Sequence, residues 1–263
     1  MDLKEKKLFL LDMDGTIYID NVLFPDVREF LHYIKENGER YIFLTNNSSN
    51  STERFIERLK EIGIESDEND FVTSADATAM HLQKKTYKKI YSFGTKSFTN
   101  HLRSFGLPVT TELCDDIDCL CMGFDTELTF KKLEDACILL SRDIDYVAAN
   151  PDLVYPKSYG YAPDCGSVAQ MLYNASKRMP YFVGKPRPEM VYYAMEKSGF
   201  GKDETVIIGD RLYTDIACGI NAGITSIFVL SGEGTKKDIA EYNITPDYIY
   251  ENISELYKDL KRR

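Results

Sequence analysis

Tryptophan is absent from the 263 residues, and histidine occurs only three times, at His32, His81 and His101. The shortage of histidine narrows the chemistry, because imidazole is the usual proton carrier near neutral pH and a frequent zinc ligand. His32 and His101 sit in amphipathic helical patterns with no acidic partner nearby, which suits a surface role. Proton chemistry therefore falls to carboxylates. The six cysteines (Cys114, Cys119, Cys121, Cys137, Cys165, Cys218) form no CxxC pair. That spacing argues for unpaired, mostly buried thiols rather than a zinc site or a disulfide framework. No apolar run approaches the roughly 20 residues that span a bilayer. The opening stretch MDLKEKKLFLLDMDG has a short apolar run that meets acids without a cleavage site, so it does not read as a signal peptide, and a cytosolic protein is expected. A basic excess is lacking too. The net charge of −10 excludes sequence-independent nucleic-acid binding, which needs a basic surface to displace counterions. It leaves room for a small anionic ligand held by a metal.

What is present is an alternation of short apolar runs with amphipathic helices. Leu8–Leu11 reads as a fully buried strand, followed by a helix from Pro25 to Asn37 and a second strand at Tyr41–Leu44. Helices follow over Thr52–Ile62 and over Ser74–Gln83, the latter with Ser74 as N-cap. A second series has strands at Ile90–Phe93, Cys119–Gly123 and Tyr146–Ala149, with helices between them. An irregular segment, NPDLVYPKSYGYAPDCGS, then leads into a helix over Gly166–Lys177. The first style resumes with Tyr181–Val183, Thr205–Ile208, Ser226–Leu230 and Tyr248–Tyr250 as strands. Fully apolar strands alternating with helices indicate an α/β fold with a parallel sheet covered on both faces. Breaks near residues 79–85 and 181 mark out a core of 1–79 and 181–263 around a nested domain of 80–180.

Polar signals follow the apolar runs of the core. They are Asp12-Met13-Asp14-Gly15-Thr16, Thr45-Asn46-Asn47-Ser48, Lys185 in GKP, and Gly209-Asp210 with Asp215. If the four strands are parallel neighbours, all four signals share the sheet edge where such folds bind ligands. Asp12, Asp14, Asp210 and Asp215 against Lys185 leave a net −3, which like charges cannot sustain unaided. Hard oxygen donors without His or Cys suit Mg²⁺. A carboxylate beside the metal can attack phosphorus, and one off the metal can hold a proton for a leaving oxygen. Taken singly, each signal is ordinary. DxDG also occurs in calcium loops, Gly-Asp after a strand is often a turn, and TNNSSNS can be a helix cap and loop. SGEGTK at 231–236 lacks the Walker spacing and is set aside as a phosphate loop.

In order, DMDGTIY, LTNN, GKP and GDRLYTDI resemble the four motifs of the haloacid dehalogenase-like hydrolases, most closely the NagD and 4-nitrophenyl phosphatase branch. TSADATAMHL, ANPD and the Gly166-Ser167 helix start extend the resemblance over nearly the whole chain. It implies a Rossmann-like doubly wound core with an inserted α/β cap. It further implies Asp12 as nucleophile and metal ligand, and Asp14 as general acid/base with its carbonyl on the metal. Thr45, Asn46 and Lys185 would hold the phosphate, Asp210 the metal, and Asp215 the metal's waters. The expected activity is Mg²⁺-dependent hydrolysis of small phosphomonoesters through an aspartyl-phosphate, with a homodimer through the cap as a further expectation. Within the cap, Asp152 is the candidate for reading the substrate, and a plain turn residue after Pro151 is the alternative. A phospho-acceptor signalling module or a phosphotransferase using Asp12 stays open at this point.

Overall fold

The computed structural model describes residues 3–157 and 159–262. The chain divides into two compact units, residues 1–45, 52–72 and 185–263 in the first and 46–51 with 73–184 in the second. The polypeptide therefore passes between them four times, and two of those passages fall at Thr45–Asn46 and Gly184–Lys185.

The first unit is built on a six-stranded sheet in the order Tyr248–Tyr250, Thr225–Val229, Thr205–Gly209, Leu8–Leu11, Arg40–Thr45, Phe71–Thr73. Leu8–Leu11 pairs in parallel on both sides, with Leu11 opposite Ile208 and Phe43. A strand flanked on both sides and covered on both faces must be apolar throughout, and these four residues are at most 1% exposed. Phe9, Leu11, Phe43, Val206 and Ile208 pack against Phe30 and Ile34 of the helix Val27–Glu36 and Leu256 of the helix Ile253–Arg262. Polarity begins one residue beyond the core, where Asp12 leaves Leu11 and Asp210 leaves Gly209 at neighbouring strand ends.

The second unit carries a parallel sheet in the order Tyr181–Phe182, Asp145–Ala148, Cys119–Met122, Ile90–Phe93, Val109–Thr110. Here one expectation is corrected. The Tyr181–Phe182 strand does not continue the first sheet: it pairs with Val147–Ala148. Lys185 therefore enters the first unit from a strand of the other sheet. The segment read as irregular holds an antiparallel hairpin, Val154–Lys157 with Gly160–Pro163. Prolines within both strands and a glycine at φ +127 hid its alternation. The helix Ser74–Gln83 is capped by Thr73, not Ser74. Thr73 Oγ1 accepts from the Asp76 amide and Asp76 returns the bond, closing a capping box. All six cysteines carry free thiols. Among the described residues no helix is long and apolar enough to cross a membrane.

Candidate active site

At the carboxyl edge of the first sheet, Lys185 is 2% exposed and its ammonium donates to three oxygens. They are Asp12 Oδ1 at 2.5 Å, Asp215 Oδ1 at 2.6 Å and the Leu44 carbonyl at 3.0 Å. One cation thus ties the ends of two strands to the turn after a third. Asp215 reaches it from a wide π-helical turn, Leu212–Ile216, and its other oxygen accepts the Arg211 amide at 3.1 Å. A Cβ at Gly209 would lie 2.3 Å from the Asp215 side chain, so this approach requires glycine. Carboxylate oxygens of Asp12, Asp210 and Asp215 lie within 4.8 Å of one another.

The Asp210 carboxylate rests in a cradle that Cβ atoms would fill. An added methyl would come within 2.5 Å of it at Gly15 and 2.0 Å at Gly232. It accepts the Glu233 amide at 2.7 Å and the Thr16 hydroxyl at 3.3 Å. Burial pushes its carboxyl well above the ordinary range, and the Asp12 and Asp215 charges add to that against the Glu233 amide. Asp215 is raised by burial and then by Asp12, with Lys185 opposing. Burial alone would discharge Lys185, but the Asp12 and Asp215 carboxylates outweigh it and push the ammonium up. Carboxylates held above their usual range and in mutual contact are short of positive charge. That is the electrostatic condition a divalent cation relieves, and an all-oxygen donor set fits a hard cation.

Asp14 lies apart from this knot. Its side chain is 27% exposed, and Arg58 stands 3.5 Å away. The Arg58 guanidinium covers the Tyr18 ring at 4.4 Å, and its Nε donates to Asn21 Oδ1 at 2.7 Å. Burial raises the Asp14 carboxyl, and Arg58 pulls against it. Asp12 and Asp14 therefore share a strand end in different surroundings. One is bound to an ammonium, and the other has its carboxyl raised by burial beside a guanidinium.

Several groups here escaped the sequence reading. Arg58, Ser231 and the Glu233 amide all touch the site, with Ser231 Oγ donating to the Gly15 carbonyl at 2.7 Å, and the bond of Thr16, read only as part of its motif, to Asp210 was not foreseen. SGEGTK is not a phosphate loop. Its Gly232 and Glu233 support Asp210 instead. The histidine reading is corrected in part: His32 is exposed as expected but has Glu36 at 3.0 Å, and His101, only 18% exposed, has Asp76 at 2.9 Å. Both partners sit where helical or tertiary packing brings them, Asp76 from a different helix. Of the remaining candidates, Thr45 ends its strand in the first unit, buried. Asn46 and Asp152 belong to the second unit and are bonded to each other, Asn46 Nδ2 donating to Asp152 Oδ2 at 2.8 Å.

A family model described as haloacid dehalogenase-like hydrolase matches residues 9–108, and a HAD-hydrolase-like model matches 182–256. The chain belongs to the haloacid dehalogenase-like hydrolases. An acid sugar phosphatase of Staphylococcus aureus is 30% identical over 261 residues, 99% of this chain and 100% of the relative. The structure of a 4-nitrophenylphosphatase from Thermotoga maritima superposes with a TM-score of 0.92 at 37% identity, covering 98% of each chain. A glycerol phosphate phosphatase from Mycobacterium tuberculosis in complex with magnesium gives 0.90 at 28% identity, covering 98% of this chain and 79% of the other.

Proposed function

We propose that the chain is a cytoplasmic, Mg²⁺-dependent phosphatase of small phosphomonoesters, working through an aspartyl-phosphate on Asp12. The observation that carries this reading is the cluster of Asp12, Asp210 and Asp215 at the sheet edge, with one buried ammonium bonded to Asp12 and Asp215. In the first step an Asp12 carboxylate oxygen attacks phosphorus, and the bond to the leaving oxygen breaks. Asp14 gives that oxygen its proton. In the second step Asp14, now a carboxylate, takes a proton from water, whose oxygen attacks phosphorus and releases Asp12. Thr45 donates its hydroxyl to a phosphoryl oxygen, and Lys185 offsets the negative charge gathered there. Asp12, Asp210 and the Asp14 carbonyl would hold a divalent cation, with Asp215 supporting it from behind, and when bound it would supply further positive charge toward the phosphoryl oxygens. The second unit serves as the cap that reads the leaving group. Among substrates, the full-length similarity to an acid sugar phosphatase favours sugar phosphates over nucleotides.

Hydrolysis of 4-nitrophenyl phosphate is expected in Mg²⁺, lost on chelation and restored by added Mg²⁺. Activity that survives EDTA would overturn the mechanism. A panel of sugar phosphates and nucleoside monophosphates ranks the substrates.

The raised carboxyls give a second expectation. A carboxyl whose value is higher in the folded state binds its proton more tightly there. Folding therefore takes up protons above the ordinary carboxylate range, and stability falls as pH rises. Asp210 and Asp215 both have this sign. Mg²⁺ should consequently raise the melting temperature more at about pH 8 than at about pH 5.5, since the cation must displace those protons. Equal stabilisation at the two pH values would remove Asp210 and Asp215 from the metal site.

Asp14 separates hydrolysis from stable phospho-acceptance. Asp14→Asn is expected to slow turnover by about 10²–10⁴-fold, the usual share of general acid–base catalysis. With an activated leaving group such as 4-nitrophenolate, the second step suffers most, so intact-protein mass spectrometry should find a phosphoryl group retained on the variant. A wild-type protein that itself stays phosphorylated after acetyl phosphate treatment would favour the signalling reading.

A further inference from the structure

Asp152 is neither solvated like a turn residue nor open like a substrate contact. It is 6% exposed, and its Oδ2 accepts from Asn46 Nδ2 at 2.8 Å and from Asn150 Nδ2 at 2.9 Å. Asn150 also donates to Asp164, which caps the helix Cys165–Ser176. The main chain at Asp152 is pinned from the same side. Its carbonyl accepts the Gly166 amide at 2.8 Å, and a Cβ at Gly166 would lie 2.1 Å from the Pro151 carbonyl oxygen. The carboxylate is therefore held in one place, presented to Asn46.

Asn46 opens a short polar segment, residues 46–51, that groups with the second unit although it directly follows Thr45. Asn46, Asn47, Ser48 and Ser49 are all at most 9% exposed. Their bonds come from strand ends and a helix start of the second unit. Ser74 Oγ donates to the Asn46 carbonyl at 2.7 Å, Phe124 N to Ser48 Oγ at 2.8 Å, and Thr95 Oγ1 to the Ser49 carbonyl at 2.9 Å. The bond that Asn46 Nδ2 donates to Asp152 Oδ2 is charge-assisted, and charge-assisted bonds are the strong ones. Asn46 Oδ1 lies 2.6 Å from where a Gly184 Cβ would be, so any side chain at 184 would displace the amide.

We propose that Asp152 is a positioning residue. It orients the Asn46 amide and, through the Thr45–Asn46 peptide, fixes the direction of the Thr45 hydroxyl at the end of the Arg40–Thr45 strand. This rests on the reading that Thr45 binds the phosphoryl group. It differs from a specificity role, because a displaced Thr45 handicaps every phosphomonoester alike.

The test uses the full-length protein as Asp152→Ala, Asp152→Asn, Asn46→Ala and the double alanine variant. kcat/KM is measured for 4-nitrophenyl phosphate, a hexose phosphate and a nucleoside monophosphate, and hydrogen exchange is followed over residues 46–51. Each single alanine variant is expected to lose about 10–100-fold, the range found for outer supporting partners, by a similar factor on all three substrates. The double variant should lose no more than the worse single, and residues 46–51 should exchange faster in Asp152→Ala. Asp152→Asn keeps the shape and one acceptor oxygen, so it should recover most of the loss. Losses that multiply in the double variant overturn the proposal. So does a changed substrate order in Asp152→Ala, which would make Asp152 a specificity residue. If the wild type hydrolyses none of the three, the phosphatase reading fails, and unchanged exchange in Asp152→Ala would separately sink the positioning role.

Discussion

Asp12→Asn is expected to abolish turnover while leaving the fold intact, with kcat for 4-nitrophenyl phosphate lower by on the order of 10⁴-fold or more, as for loss of other enzymatic nucleophiles. Asparagine keeps the shape and an acceptor oxygen for Lys185, which lies 2.5 Å from Asp12 Oδ1. What it removes is the anion that the proposed mechanism uses as nucleophile, and no neighbour is placed to substitute for it. Asp215 is 1% exposed and both its oxygens are engaged, by Lys185 and the Arg211 amide. Asp210 lies in its glycine cradle with a bond from the Glu233 amide. The substitution also takes a negative charge out of a group in which Asp12 raises both Asp210 and Asp215. The metal-free variant should therefore melt at or above the wild-type temperature, while Mg²⁺ stabilises it less. Steady-state kinetics and thermal denaturation with and without Mg²⁺ check both halves. A variant that retains a tenth of wild-type kcat would exclude Asp12 as nucleophile.

How much of this was open to sequence reasoning depends on the distance over which each residue finds its partner. Leu8–Leu11 is apolar because it is the central strand, and that condition is written locally. So is the change to Asp12-Met13-Asp14 at its end. The alternation of strands and helices carried the α/β class for the same reason. The strand before Lys185 could not be placed that way. Tyr181–Phe182 is short, and nothing in its two residues says which sheet it joins. Lys185 was legible as a polar signal after an apolar run, and the resemblance of GKP to a known motif added a role, but neither says that its strand belongs to the other sheet. Thr16 and Asp210 are 194 positions apart, and Ser231 reaches Gly15 across 216. Thr16 and Ser231 are ordinary by type, and only the fold shows which groups they bond. Asp152 was visible as a residue, but its role was not, because Asn46 lies 106 positions away.

Lys185→Met is expected to damage stability and catalysis together, because the same three bonds serve both. In the wild type the ammonium compensates Asp12 and Asp215, and Asp215 has essentially no water to turn to. Methionine fills the space and removes the charge. Leaving buried carboxylates without their cation costs about 3–5 kcal/mol. Asp215 can escape part of that by taking a proton, and its carboxyl is already raised. Its value in the folded variant should rise further, so the loss of stability should be smallest in mild acid and grow toward alkaline pH. On the proposed mechanism, catalysis loses the positive charge that offsets the phosphoryl oxygens, and removal of one such electrostatic stabiliser typically lowers kcat by about 10²–10³-fold. Lys185→Arg should not rescue either effect. The planar guanidinium cannot reproduce three bonds of 2.5–3.0 Å converging on one nitrogen in a site that is 2% exposed. Melting curves of the metal-free proteins at about pH 5.5 and about pH 8 read the stability effect, and 4-nitrophenyl phosphate hydrolysis reads the other. A Lys185→Met protein as stable as wild type at the higher pH would mean that the carboxylates do not need the ammonium. The charge argument for a single metal and phosphoryl site at this sheet edge would then fail with it.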